Sequence, residues 1–119
     1  MRDFRNIQVW SKSHRLALEV YEASRKFPND ERYGLTAQMR RSAASIPTNI
    51  AEGCGRGSEA DFARFLQIAA GSASELEYQL LLACDLKLLN KQTYEQLNRD
   101  VTEVKRMLYS FIATLKAEG

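Results

Sequence analysis

The chain has 119 residues, 45% hydrophobic and 27% charged, a mix that excludes a disordered tail or a fibrous repeat and, at this length, leaves room for one core. Seventeen Lys and Arg against 15 Asp and Glu give +2, short of the strongly basic balance of a dedicated nucleic-acid binder. Yet residues 1–60 carry 10 basic and 7 acidic groups, and 11 of the 17 cations are Arg, the planar donor that suits phosphates and carboxylates.

The first helix is expected from Ile7 to about Lys26, with Asn6 as its cap and Trp10, Ala17, Val20, Ser24 and Phe27 as its apolar stripe. Pro28 then disfavours helical geometry at Phe27 and ends the run, and Asn29 or Asp30 can cap a short turn. The second helix is expected over 34–52 on the spacing of Leu35, Met39, Ser42 or Ala43, Ile46 and Ile50, with Gly53 as its stop. Pro47 inside it predicts either a kink or a break after Ser45.

Ser58-Glu59-Ala60-Asp61 reads as a capping-box-like start for a third helix over 58–88, carrying Phe62, Phe65, Ala69, Ala73, Leu76, Leu80 and Ala83. A helix of that length spans about 46 Å. The fourth is expected over 93–116, opened by the capping box Thr93-Tyr94-Glu95-Gln96 and carrying Leu97, Val101, Val104, Leu108, Phe111 and Leu115. Nothing alternates with period two, so the expected fold is all-α, a single antiparallel up-down-up-down four-helix bundle over 1–119. The small residues Ser42 to Ser45 and Ala69 to Ser74 let the second and third helices approach closely, and close packing there would offset the cost of Gly71.

Late in the third helix Leu80, Leu81, Leu82, Ala83, Cys84, Leu86, Leu88 and Leu89 cover more than one stripe. Surplus apolar surface needs a partner, which marks Leu81, Leu82, Leu88 and Leu89 as a self-association surface. A wider monomer core closed by the Phe27 to Tyr33 linker is the alternative.

Chemistry is scarce. Cys54 and Cys84 stand thirty positions apart with His14 as the only histidine, which argues against a zinc site and a Cys-His pair. Cys54 lies near the start of the third helix, where a helix dipole lowers a thiol pKa. No pair of Glu-x-x-His motifs exists for a di-iron site. The loop Gly53-Cys54-Gly55-Arg56-Gly57-Ser58 matches no nucleotide fingerprint; it is either a weak anion site using Arg56 and free N–H groups or a helix stop and connector. No metal, cofactor or small-molecule substrate is implied. The start Met1-Arg2-Asp3-Phe4-Arg5 has no signal-like apolar stretch and no run approaches the roughly 20 residues of a membrane span, so the expectation is a cytoplasmic protein with free thiols.

That leaves the arginines. Arg40 and Arg41 on the second helix, and Arg56 and Arg64 around the start of the third, are the candidate nucleic-acid-binding residues; taken singly, such residues also serve as a solvated face.

Several segments together carry a resemblance over about Phe4 to Leu115: Val9-Trp10, Phe27-Pro28, Glu31-Arg32-Tyr33-Gly34-Leu35-Thr36, and Gln38 with Arg40-Arg41. Ser45-Ile46-Pro47-Thr48-Asn49-Ile50-Ala51-Glu52-Gly53, Gly55-Arg56, Phe62 to Leu66, Glu75-Leu76-Glu77 and Gln79-Leu80 complete it. The chain resembles the four-helix-bundle proteins encoded inside intervening sequences of bacterial 23S ribosomal RNA genes. Lys87 departs from the glycine that pattern places after Asp85-Leu86. The resemblance implies a homopentameric ring with no enzymatic activity and no cofactor. The expected function is binding of structured RNA or a ribonucleoprotein through ring-displayed arginines, chiefly Arg40, Arg41 and Arg56; the alternative is a protein-protein adaptor whose arginines form intersubunit ion pairs. Asn49 and Glu52 are either site residues or part of a polar network supporting Pro47.

Overall fold

A computed structural model describes residues 2–118. Its regular elements are α1 (Gln8–Ser24), α2 (Leu35–Cys54), α3 (Glu59–Asp85) and α4 (Lys91–Glu118), with 3-10 turns at Phe4–Asn6 and Asn29–Glu31 and no strand among the described residues. Each helix packs on the next and α4 returns to α1, the α2–α3 contact being the most extensive and α1–α4 the least. Leu16 and Val20 of α1, Met39, Ile46 and Ile50 of α2, Leu66, Leu76 and Leu80 of α3, and Val101, Val104 and Leu108 of α4 form one core. Burying each such side chain contributes roughly 1.5–3 kcal/mol, so the stripes rather than helix propensity hold the four segments together. None of the described helices is long and apolar enough to cross a membrane.

The stripes of α2 and α3 are buried as the spacing predicts, and so are those of α1 and α4 except at Trp10 and Phe111, which are half-buried against the core. On α1 the buried positions are Val9, Ser13, Leu16, Ala17, Val20 and Ser24, and Trp10 is only half-buried. On α4 Ile112 is buried in place of Phe111, whose ring instead meets Phe62 edge-on with centroids 5.4 Å apart. Two caps also move. Asn6 belongs to a 3-10 turn capped by Asp3, and Ile7 precedes α1 without a side-chain cap. Ser58 caps α3 as expected, its hydroxyl accepting from Asp61 N at 3.1 Å. Helix α4 starts two residues earlier than its capping box, because Asn90 Oδ1 accepts from Thr93 N at 2.7 Å. Pro47 leaves α2 unbroken from Leu35 to Cys54.

Two glycines exchange their expected roles. Gly53 does not stop α2; it is buried within the last turn, where an added Cβ would lie 2.9 Å from Phe65 Cβ and 3.0 Å from Phe62 Cδ1. Gly71, the expected site of close approach, has nothing within 4 Å of where its Cβ would be. The glycine that permits tight packing is therefore at the end of α2 and not in the middle of α3.

Arg2 closes that end of the molecule. Its guanidinium donates to both carboxylate oxygens of Glu59 at 2.6 and 2.9 Å and lies 4.4 Å from the centre of the Phe62 ring, while its backbone N–H donates to Cys54 O at 3.3 Å. One residue thus ties the last turn of α2 to the first turn of α3.

Helix α3 ends three residues short of the expected Leu88. Lys87 adopts φ 65, in the left-handed region, its N–H donating to Cys84 O and that of Leu88 to Ala83 O, each at 2.9 Å. This is a Schellman stop, which favours glycine, so the lysine departs from the resembled pattern at the one non-glycine residue of positive φ among those described. The chain turns there and carries Leu89 into the core at 5% exposure.

Lys87→Gly relieves the left-handed backbone and is expected to raise the unfolding free energy by about 1 kcal/mol, measured by urea denaturation. In the same assay Gly71→Ala is expected to gain about 1 kcal/mol, while Gly53→Ala loses stability, because its methyl has no room against Phe65 and Phe62.

Candidate functional site

The residues expected to carry function separate as soon as they are placed on their helices. Arg40 and Arg41 are adjacent in sequence but about 100° apart around α2. Arg40 turns to α1: Nε donates to Ser24 Oγ at 2.9 Å, Nη2 donates to Tyr21 O at 3.1 Å, and the guanidinium lies 4.8 Å from the centre of the Tyr21 ring. It satisfies a carbonyl in the last turn of α1, a structural role that takes up its Nε–Nη2 edge. Arg41 is exposed and has no hydrogen bond or ion pair among the described residues.

Arg56 and Arg64 converge on one ring. Each guanidinium lies 4.7 Å from the centre of Phe65, and each is anchored by a carboxylate, Arg56 by Glu52 at 2.7 Å and Arg64 by Asp61 at 3.3 Å. Their side chains remain 42% and 56% exposed, so both keep donors facing solvent. The spacing of Arg41, Ser45 and Glu52 by four and seven places them on one side of α2, over about 16 Å of helix, and Arg56 follows in the turn beyond Cys54.

Between that face and α3 runs a polar seam. Ser72 Oγ donates to Ser45 Oγ at 3.0 Å, and Asn49 Nδ2 donates to Ser45 O at 2.8 Å and Ser45 Oγ at 2.9 Å. Asn49 therefore belongs to a hydrogen-bond network in the turn that contains Pro47, while Glu52 lies outside it. Further along the seam Gln38, Arg41, Ser42, Ser45, Ser72, Glu75 and Gln79 line a cavity of about 140 Å³. Gln79 is only 6% exposed, and its Oε1 is buried without a donor. Glu75 has no ion-pair partner among the described residues. Gln79 escapes sequence reasoning because a polar residue beside the α3 stripe reads as solvated surface; its place in the run Glu75 to Leu80 is the only signal.

The remaining candidates are placed as follows. Burial pushes the Cys54 thiol up, with Arg2 opposing it more weakly, which reverses the expected activation by the helix dipole. His14 stacks on Trp10 at 5.0 Å. Of the four leucines expected to face a second copy, Leu81 is 43% exposed, Leu82 and Leu88 are half-buried against the core, and Leu89 has no surface to offer. Leu86, Tyr78 and Ile68 are exposed on α3 as well. On another face, Trp10, Leu18 and Tyr21 of α1 and Pro47 of α2 line an apolar groove of about 420 Å³.

Residues 5–110 match the model of the 23S rRNA-intervening sequence protein family. Among solved structures the chain is similar to a protein of unknown function from the S23 ribosomal protein family of Bacteroides thetaiotaomicron. The two are 33% identical with a TM-score of 0.79, over 87% of this chain and 97% of that one. No curated protein matches the chain.

A buried acceptor without a donor is destabilising. Gln79→Leu removes the oxygen while filling the same space, and is expected to raise the unfolding free energy by about 1 kcal/mol in urea denaturation.

Proposed function

The chain belongs to the 23S rRNA-intervening sequence protein family, and from that premise we propose that it is a non-catalytic, cytoplasmic protein that binds structured RNA or a ribonucleoprotein. The binding unit is an antiparallel up-down-up-down bundle assembled as a homopentameric ring. The observation that carries the RNA reading is that Arg56 and Arg64 are held together against Phe65 with their side chains partly exposed, and that Arg41 is exposed with no hydrogen bond or ion pair among the described residues. Guanidinium groups fixed by stacking and a single carboxylate are preorganised donors, and a ring multiplies a modest monomer charge because phosphate affinity rises with each neutralised charge.

Self-association is supported by two sets of exposed apolar residues: the groove of Trp10, Leu18, Tyr21 and Pro47, and Tyr78 and Leu81 late in α3 with Leu86 just beyond it. Unlike patches meet head to tail, the kind of contact that closes rings. The groove also favours the second reading, an adaptor that seats a partner protein.

The test is the absolute mass by light scattering, with and without a structured ribosomal RNA fragment, at about 50 and about 200 mM salt. An oligomer whose mass rises with RNA at low salt and falls back at high salt is expected. The double variant Arg41→Glu, Arg56→Glu is expected to weaken RNA binding and flatten its salt slope by about 1 per lost phosphate contact, whereas Arg40→Glu lowers stability by releasing α1. An oligomer indifferent to RNA at both salts overturns the RNA reading and leaves the adaptor.

A further inference from the structure

The groove on α1 and α2 is apolar along its length and bounded by a cation at each end. Trp10, His14, Leu18 and Tyr21, spaced by four, four and three, line it from one face of α1. Ala44, Pro47 and Ala51 line it from α2 with small side chains, which leaves room for another helix to lie close. No carboxylate, ammonium or guanidinium group belongs to the lining. At one end, where the Phe4 ring lies 4.8 Å from that of Trp10, the Arg5 guanidinium stands 4.5 Å from the centre of Phe4 and is held by Asp3 at 3.4 Å. At the other, Arg40 stands 4.8 Å from the centre of Tyr21, and its bonds to α1 use Nε and Nη2 but not Nη1. Trp10 and Tyr21 are about 17 Å apart along α1.

Late α3 carries the opposite pattern. Between Phe65 and Leu86 there is no Lys or Arg. Glu75, Tyr78, Leu81 and Asp85, spaced by three, three and four, share one side of the helix and are all exposed. Neither Glu75 nor Asp85 has an ion-pair partner among the described residues, whereas Glu77 is taken by Lys105 at 2.8 Å. The two free carboxylates stand about 15 Å apart along the helix with the tyrosine and the leucine between them. Patch and groove therefore match in length and in order, and their terminal charges are opposite. Among the described residues α1 packs on α2 and α4 and not on α3, so one protomer does not bring its own patch to its own groove.

We propose that the groove of one copy receives late α3 of a second copy, with Tyr78 and Leu81 against Trp10, Leu18 and Tyr21, and with Glu75 and Asp85 meeting the cations at the two ends. The inference deepens the self-association reading above and rests on it. Apolar contact holds the copies together, and the charges fix the position of α3 in the groove and reject other partners. Because unlike patches meet, each copy in such a pair keeps one groove or one patch to offer a further copy.

Trp10 is the only tryptophan, so occupation of the groove is read from its emission as well as from absolute mass. The experiment is a dilution series of the full chain followed by light scattering and Trp10 fluorescence. Mass and a blue shift of Trp10 are expected to rise together with concentration. Leu18→Glu and Leu81→Glu, at positions 58% and 43% exposed, are each expected to return the mass to that of one chain. Leu81→Glu is also expected to abolish the Trp10 shift, although α3 does not adjoin α1. Arg5→Glu is expected to weaken association about tenfold, and Glu75→Lys or Asp85→Lys added to it restores it. These three charges are exposed, so their reversal keeps the test informative where a leucine variant disturbs folding. A protein that stays a single chain at every concentration overturns the self-association reading and this inference with it, and leaves the groove to another protein. An assembly that neither leucine variant dissociates overturns the contact of groove with α3 and leaves self-association standing. Dissociation by only one of them means that like patches meet, and also overturns it. Association that Arg5→Glu leaves unchanged, or that neither lysine restores, overturns the pairing of charges and the assignment of late α3 with it.

Discussion

At the end of α2 there is no room for a β-carbon at Gly53, because Phe65 and Phe62 of α3 come within about 3 Å of where it would sit. The approach of α2 to α3 is set there and continued by small residues: Ser42 and Ser45 on one helix, Ala69, Ser72 and Ala73 on the other. Arg2 locks the same end, bridging Cys54 O and Glu59 across the face of Phe62. With the two helices held this closely, the polar side chains bordering the seam have little space to find partners. The hydroxyls of Ser45 and Ser72 bond each other, and Gln79 Oε1 bonds nothing. The candidate site is therefore a product of the tightest contact in the fold.

The same geometry sorts the arginines. A net charge counted from sequence treats every guanidinium alike, but their environments differ in what they leave free. Arg40 is consumed at the end of α1 and Arg2 between two helix ends. Arg56 and Arg64 are positioned by Phe65 and one carboxylate each. An exposed ion pair of this sort contributes little stability, of the order of 0–1 kcal/mol, so either carboxylate is readily displaced by a stronger anion. Among the described residues, Arg41 alone of the four candidates is exposed without a partner.

Helical periodicity made the four helices and most of the core legible, because a buried stripe must repeat every three or four residues. It failed where the core is reached from outside a helix or where two apolar residues compete for one place. Leu89 looked like surface until the turn at Lys87 swung it inward, and Ile112 joins the buried stripe while Phe111 stays half-buried with its ring edge-on to Phe62. Glycines were ambiguous for a related reason. Sequence shows that a side chain is absent but not whether its absence ends a helix, as expected of Gly53, or admits a neighbour, as is the case. The candidate site was half-visible: Arg41, Asn49, Glu75 and Gln79 all fall in the segments that carry the family resemblance, yet their convergence depends on the rotation of α2 against α3, which no spacing encodes.

Retaining a buried, unpartnered oxygen in an otherwise well-matched fold is costly, since an apolar residue at position 79 would extend the α3 core without it. The outer face of α3 places Tyr78 and Leu81 close to the seam that holds Glu75 and Gln79. Gln79 Oε1 is the point at which the close approach of α2 and α3 costs the fold stability, because the seam supplies it no donor among the described residues.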